Sequence, residues 1–507
     1  MVRASIAIVA DLTLSSKNPS SLRVDALVVG TCKTSDGLAV VADQFPADVV
    51  HEIETLAPQL GLTGAPDEVR KLPAGPGVKA AMLVLTGLGE RDADGTFGEE
   101  TLRRAAGAAV RELAGTQSVA VALPTATEGD LAAVAEGALL GAYTFTAHRT
   151  GDDAAKQTPA ASIEIVTSYA RSSRAKAAIE RAQVLATAVH GARDLINTPP
   201  NVLFPAAFAD AAKAAVKDLG AKGVKVSVLD EKQLTAGNYG GLVGVGRGSA
   251  RPPRLVKVAY APAKAAKRVA LIGKGITFDT GGISIKPAAG MHAMTSDMSG
   301  AAAVLHTVVA AARLGLPVAV TGYLCLAENM PGGDATRPGD VLTMRSGKTV
   351  EVTNTDAEGR LVMADGLAAG VEDGHDVLLD IATLTGAQVV ALGHRVSGLM
   401  GDDDVVAAVL AAAQSSGEQF WPMPMPEELK AGLKSNVADM VNSAADRAGG
   451  MLFAATFLKE FVGGTPWAHL DIAGPAFNEK APFGYTPLGG TGVGVRTMLS
   501  YLEAQAA

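Results

Sequence analysis

The chain has 507 residues, too many for a single hydrophobic core, so the first expectation is two or three domains. Apolar residues make up 48% and charged residues 19%, the balance of a globular chain rather than a disordered one, and no apolar run approaches the ~18 residues of a membrane span. The net charge of -8 argues against non-specific binding to nucleic acid or to an anionic membrane.

In chain order, Ala4–Ala10 reads as a first strand rather than a secretion signal, because Asp11 interrupts its apolar run. Ala26–Gly30, Ala81–Thr86 and Val119–Pro124 read as buried strands, with helices at Leu102–Ala114 and Leu131–Tyr143. The polar stretch Thr150–Pro159 and a strand at Ser162–Val166 close this first α/β region. Ala178, Ala182, Leu185, Val189, Ala192 and Ile196 then recur at spacings of three and four, one apolar stripe of a helix that starts near Ser173. It stops before Thr198-Pro199-Pro200, since the residue preceding a proline disfavours helix. The expected organisation is an N-terminal α/β domain over 1–170, a linking helix over 171–197, and a larger C-terminal α/β/α domain over 198–507 with a central mixed sheet. Leu255–Ala259, Val269–Ile272, Val318–Tyr323 and Val377–Ile381 are short apolar runs that suit strands covered on both faces. The cysteines, Cys32 and Cys325, lie far apart, and Cys325 sits in an apolar run. A buried thiol and a reducing cytoplasm fit better than a disulfide.

Three segments place charged residues just after buried strands, where open α/β sheets put their sites. Gly273–Lys286 carries Lys274, Asp279 and Lys286, and its glycines at 273, 275, 281 and 282 suit a loop folded tightly around something small. Met294–Val304 carries Asp297 at the start of an Ala-rich helix. Asn354–Asp365 carries Asp356, Glu358 and Arg360 before another helix. Asp356 and Glu358 are two apart, which in an extended segment points both carboxylates to one side. Any one of these acids could be a helix cap. Together, four carboxylates repel one another unless cations neutralise them, and two divalent ions balance their charge. Oxygen ligation suits manganese or magnesium, and zinc is compatible. No HExxH pattern occurs, and Gly244–Gly248 and Gly489–Gly494 fit neither GxGxxG nor a P-loop and read as turns. His469, near Trp467 and Asp471, has no serine nucleophile motif to accompany it and reads as a buried structural residue. His292 and His394 read as ordinary residues.

The octapeptide Asn354–Leu361, Asn-Thr-Asp-Ala-Glu-Gly-Arg-Leu, resembles the signature of the leucyl (cytosol) aminopeptidase family. The resemblance continues through Ala192–Asn201, Gly273–Gly282, Glu328–Gly333, Arg337–Val341, Asp380–Ala387 and Trp467–Gly474, and so covers about residue 190 to the C-terminus. It implies an enzyme that removes single N-terminal residues from peptides, with two divalent ions per subunit: manganese or zinc, with magnesium and cobalt as further choices. Asp279 and Glu358 are implied to bridge the ions, Asp356 to complete one shell, and Lys274, as a neutral amine, with Asp297 to complete the other. Lys286 is implied to stabilise the oxyanion, and Arg360 to hold a bicarbonate ion that serves as general base for attack by a metal-bridged water. Met294, Thr383, Gly386 and Ala473 match positions that line the family's first side-chain pocket, sized for Leu or Met. The resemblance also implies a cytoplasmic homohexamer, a dimer of trimers with active sites facing an inner cavity. Two departures stand out: Thr295 replaces the usual lysine two residues before Asp297, and Asn238-Tyr239 replaces Met-Gly. The competing class is a DNA-binding or regulatory scaffold on the same fold. A binding protein with a dead site is disfavoured because every expected ligand is present.

Overall fold

The protein is described by a computed structural model over residues 10–506, apart from 36, 42–44, 152–156, 219 and 266. The expected strand at Ala4–Ala10, save Ala10, and the centre of the Thr150–Pro159 stretch lie outside the described residues. Contacts divide the chain into two units. One comprises Ala7–His190 with Glu479–Leu488, the other Gly191–Asn478 with Gly489–Ala507, so the division falls inside the Ser173–Asn197 helix.

The N-terminal unit holds β1 (Asp11–Ser15), β2 (Ala26–Thr34), β3 (Gly37–Val41), β4 (Val69–Pro73), β5 (Met82–Gly87), β6 (Ser118–Ala122) and β7 (Ser162–Val166). They form one sheet ordered β1-β7-β6-β2-β5-β4, parallel except for β4, with β3 folded back on β2. Because successive side chains on a strand alternate between faces, Val28 and Val84 enter one core with Leu102 and Leu131 of the flanking helices. Leu27 and Leu85 enter a second core with Val49 and Ile53 of the Ala47–Leu56 helix. The strands and helices lie where the apolar runs place them, and both cysteines are buried and free. The Ser173–Asn197 helix buries more than the expected stripe. Ala178 is only half-buried, whereas Ala175, Ile179, Ala186 and Leu195 are buried beside the stripe positions.

The C-terminal unit holds β8 (Val224–Leu229), β9 (Arg254–Tyr260), β10 (Arg268–Asp279), β11 (Ala319–Asn329), β12 (Val341–Thr343), β13 (Thr349–Glu351), β14 (Val377–Ala382), β15 (Ser397–Gly401), β16 (Phe420–Pro422), β17 (Met440–Val441) and β18 (Trp467–Asp471). Eight of these make a mixed sheet, β16-β15-β18-β14-β10-β11-β9-β8, whose centre β18-β14-β10-β11 is parallel. Ala270 and Ile272 of β10 share a core with Val362 and Leu367 of the Gly359–Glu372 helix. The Ser299–Leu314 helix packs against the odd-numbered face of β10, where an added Cβ on Gly273 would stand 2.6 Å from the Ala301 Cα.

Three local expectations are corrected here. Gly273–Asp279 is the second half of β10, not a loop: Gly273 and Gly275 let a helix approach the strand, and only Gly281 and Gly282 use left-handed backbone, with φ of 86° and 68°. Asp356 and Glu358 are not in an extended segment but in a turn ahead of the Gly359–Glu372 helix. Gly244 and Gly246 belong to the short Gly240–Gly246 helix rather than a turn. At the Asn238-Tyr239 departure, Asn238 adopts φ 55°, which asparagine tolerates better than most side chains, and Tyr239 is buried beneath the Arg345 guanidinium.

Candidate metal centre and active site

The carboxyl ends of the four central parallel strands converge on the charged residues. Asp279 ends β10, Asn329 ends β11, Thr383 follows β14 and Asp471 ends β18. Lys274 lies within β10 with its side chain on the face covered by the Gly359–Glu372 helix. An added Cβ on Gly359 would stand 2.5 Å from the Lys274 Cε, so glycine at that helix start leaves room for the lysine. The Lys274 Nζ sits 2.8 Å from Asp297 Oδ1 and 2.9 Å from Glu358 Oε1, and donates to the Thr383 carbonyl at 2.9 Å. The Thr383 hydroxyl donates to the same Asp297 oxygen at 2.7 Å. Lys286 sits 2.8 Å from Asp279 Oδ2 and 2.5 Å from Asp356 Oδ1. Ligand oxygens of Asp279, Asp356 and Glu358 lie within 4.8 Å of one another. The structure therefore brings all five sequence-identified acids and amines of the metal set, and Lys286, into one constellation.

Its electrostatics are unbalanced. Lys274, Asp279, Asp297 and Glu358 are each at least 95% buried. Four carboxylates face two ammonium groups, and burial together with the Asp279 charge pushes the Glu358 carboxyl up to about 8. Burial likewise raises Asp297 to about 6, and raises Asp356. Burial opposes the charge on Lys274, but Asp297, Glu358 and Asp279 outweigh it and hold its pKa above the ordinary lysine value. Lys286 is raised in the same way, by Asp279 first. Asp297 Oδ2 and Glu358 Oε2 are buried with no hydrogen-bond partner. Orphaned buried acceptors are rare, and these two suit a site that receives cations.

Arg360 is the second residue of the Gly359–Glu372 helix and nine-tenths buried. Its Nη1 donates to the Asn442 carbonyl at 2.9 Å, its Nε has no partner, and burial lowers its pKa to about 10. A partnerless guanidinium N–H beside a helix start suits a small anion. Of the expected side-chain pocket, Thr383 touches Asp297, and the Met294 carbonyl accepts the Asp297 N–H. Asp471 joins the rest: it accepts the N–H groups of Leu384 and Ala473 and the Thr385 hydroxyl just before Gly386, which is exposed. His469 is fully buried and paired with Asp380, whose other oxygen accepts the Trp467 indole N–H, as a structural residue would be. His292 and His394 are exposed.

Sequence reasoning assigned no role to Asn442 or Asn329. The Asn442 side chain holds the Asn354–Ala357 turn, accepting from Thr353 N at 2.8 Å and donating to the Asn354 carbonyl at 2.7 Å. It lies 82 residues beyond Arg360 with no local pattern to mark it. Asn329 was visible only as part of the Glu328–Gly333 motif.

A model of the catalytic domain of the cytosol aminopeptidase family matches residues 190–499, and a model of that family's N-terminal domain matches residues 28–152. The chain belongs to the cytosol aminopeptidase family. The protein named probable cytosol aminopeptidase in Micrococcus luteus is 53% identical over 507 residues, covering 97% of this chain and 98% of its own, and its Streptomyces avermitilis counterpart is 54% identical over 98% and 99%. Among solved structures, a manganese complex of the bottromycin maturation enzyme BotP is similar with TM-score 0.83 and 37% identity over 96% of this chain and all of that one. A mutant of tomato leucine aminopeptidase gives TM-score 0.84 at 28% identity, covering 99% and 97%. This cytosol aminopeptidase family member is thus a peptidase, built on the two α/β domains expected from its sequence. Among the described residues, no helix is long and apolar enough to cross a membrane.

Proposed function

We propose that the chain is a two-metal leucyl aminopeptidase that prefers Leu, Met and similar apolar N-terminal residues. The observation that carries this reading is the set of four carboxylates, three of them buried, with orphaned oxygens on Asp297 and Glu358, an excess of negative charge that cations would neutralise. Lys274, Asp279, Asp297, Asp356 and Glu358 would hold two divalent ions, manganese or zinc first. When bound, the ions supply Lewis acidity that activates water and polarises the scissile carbonyl.

The chain's own residues do the rest. Lys274, ion-paired with Asp297 and Glu358, would have to give up its proton to serve as a neutral donor to the ions. Lys286, at the partly exposed mouth between Asp279 and Asp356, keeps its charge and faces the developing oxyanion. Arg360 would hold bicarbonate, the general base of this reading, through its partnerless Nε. Met294, Thr383, Gly386 and Ala473 would line the side-chain pocket, and at Gly386 an added Cβ would meet open space, leaving width for a Leu or Met side chain. The enzyme would act in the cytoplasm as a homohexamer. Among the described residues, no charge or contact feature favours the DNA-binding alternative.

The test is a panel of aminoacyl p-nitroanilides at saturating manganese. Leucine and methionine derivatives should be hydrolysed at least tenfold faster than the aspartate derivative, and N-acetyl-leucine p-nitroanilide not at all. Equal rates across the panel, or turnover of the blocked substrate, would contradict the reading.

A further inference from the structure

Asn329 ends β11 directly beside Asp279, its register partner at the end of β10. It is 96% buried, and its Nδ2 donates to Asp279 Oδ1 at 2.8 Å and to the Thr355 carbonyl at 3.1 Å. Both neighbours can only accept, which fixes the amide with its NH2 toward them. The Gly281 N–H donates to the same Asp279 oxygen at 2.8 Å, so Oδ1 carries two donors while Oδ2 faces Lys286 at 2.8 Å. The Asn329 backbone is fixed as well: its carbonyl accepts the Thr280 N–H at 3.0 Å and the Thr280 hydroxyl at 2.9 Å. Thr355 immediately precedes Asp356, and its hydroxyl donates to the Gly281 carbonyl at 2.6 Å. One side-chain amide therefore ties the end of β10, which carries Asp279, to the turn that carries Asp356.

We propose that Asn329 is the positioning residue of the metal centre: it locks Asp279 to present Oδ2 alone to a cation and holds the Asp356 turn in register with it, setting the affinity for the ions. This rests on the two-metal reading above. Without the amide, Asp279 Oδ1 keeps the Gly281 N–H alone, and the end of β10 and the Asp356 turn stay joined through Lys286, Thr355 and Ser284. Aspartate, the isosteric alternative, would set a fifth carboxylate against Asp279 Oδ1. Loss of a hydrogen-bonding partner that orients a ligand typically weakens metal binding by about 10–100-fold.

The experiment titrates chelator-treated protein with manganese and reads free Mn(II) by its electron paramagnetic resonance signal. Wild type is compared with Asn329→Ala, Asn329→Ser and Ser249→Ala. Ser249 donates to Glu328, the neighbour of Asn329 on the opposite strand face, and serves as a control for general loosening of this strand end. Urea midpoints of the metal-free proteins report stability separately. The expected result is a manganese Kd raised about 10–100-fold in Asn329→Ala, with Ser249→Ala unchanged. Serine keeps a donor but cannot span both acceptors, so Asn329→Ser moves the same way and decides the matter if the alanine variant does not fold. A folded Asn329 variant whose Kd stays within twofold of wild type, whatever its urea midpoint, overturns the proposal and leaves the two-metal reading standing. Wild type that binds no manganese overturns both.

Discussion

Burial and the Asp279 charge raise the Glu358 carboxyl to about 8, and Asp297, Glu358 and Asp279 hold the Lys274 ammonium above the ordinary lysine value. A raised pKa means a proton bound at lower pH, and a cation must expel it. Manganese affinity should therefore fall as pH drops below about 8, and binding at pH 7 should release at least one proton per subunit. Calorimetric titration in two buffers of different ionisation enthalpy counts that proton, and proton-neutral binding would contradict the account. Lys286 carries the same charge to a different task. Its side chain is 22% exposed at the site's mouth, and Lys286→Gln should lower kcat by about 10²–10³ while manganese binding persists. A variant that loses metal instead would place Lys286 in the binding shell.

At the scale of elements, the helix Ser299–Leu314 shows how tight packing fixes a titrating group. His306 is buried on this helix, and any side chain at Gly191 would overlap its ring. Burial lowers the His306 pKa to about 4, below its unfolded value near 6.5, so the unfolded state takes up the proton first. The sign follows: stability is fully present above pH 6.5 and lost as pH falls toward 4, by about 3 kcal/mol. Urea midpoints from pH 7 to 4.5 should drop less steeply in His306→Leu than in wild type, and parallel slopes would show that the ring does not titrate. Gly191→Ala should destabilise by about 1–3 kcal/mol by overpacking. The same elements show what the sequence could and could not say. Val377–Ile381 and Val269–Ile272 were legible as buried strands because Val, Leu and Ile dominate both short runs, with Asp380 the one charged residue. The continuation of β10 to Asp279 was not, since Gly273, Lys274 and Gly275 are poor strand formers by local preference. The helix at Ala301 and the neighbouring β11 override that preference. The ligand acids were legible through the Asn354–Leu361 motif, whereas Asn442 acts across 82 residues and leaves no local trace.

Val390, Trp421 and Val437 in the C-terminal unit are 90%, 61% and 68% exposed. Sedimentation should give six times the 51.3 kDa chain, and a monomer at micromolar concentration would contradict the proposed hexamer. The central claim, that buried carboxylates hold catalytic cations, is tested most directly by hydrolysis of leucine p-nitroanilide after chelation and after adding back manganese, zinc, magnesium or cobalt, with Asp356→Ala and Glu358→Ala alongside. The account predicts activity abolished by chelation, restored by manganese or zinc, and absent from both variants under every metal. Full activity in the chelated wild type, or wild-type rates in either variant, would contradict it.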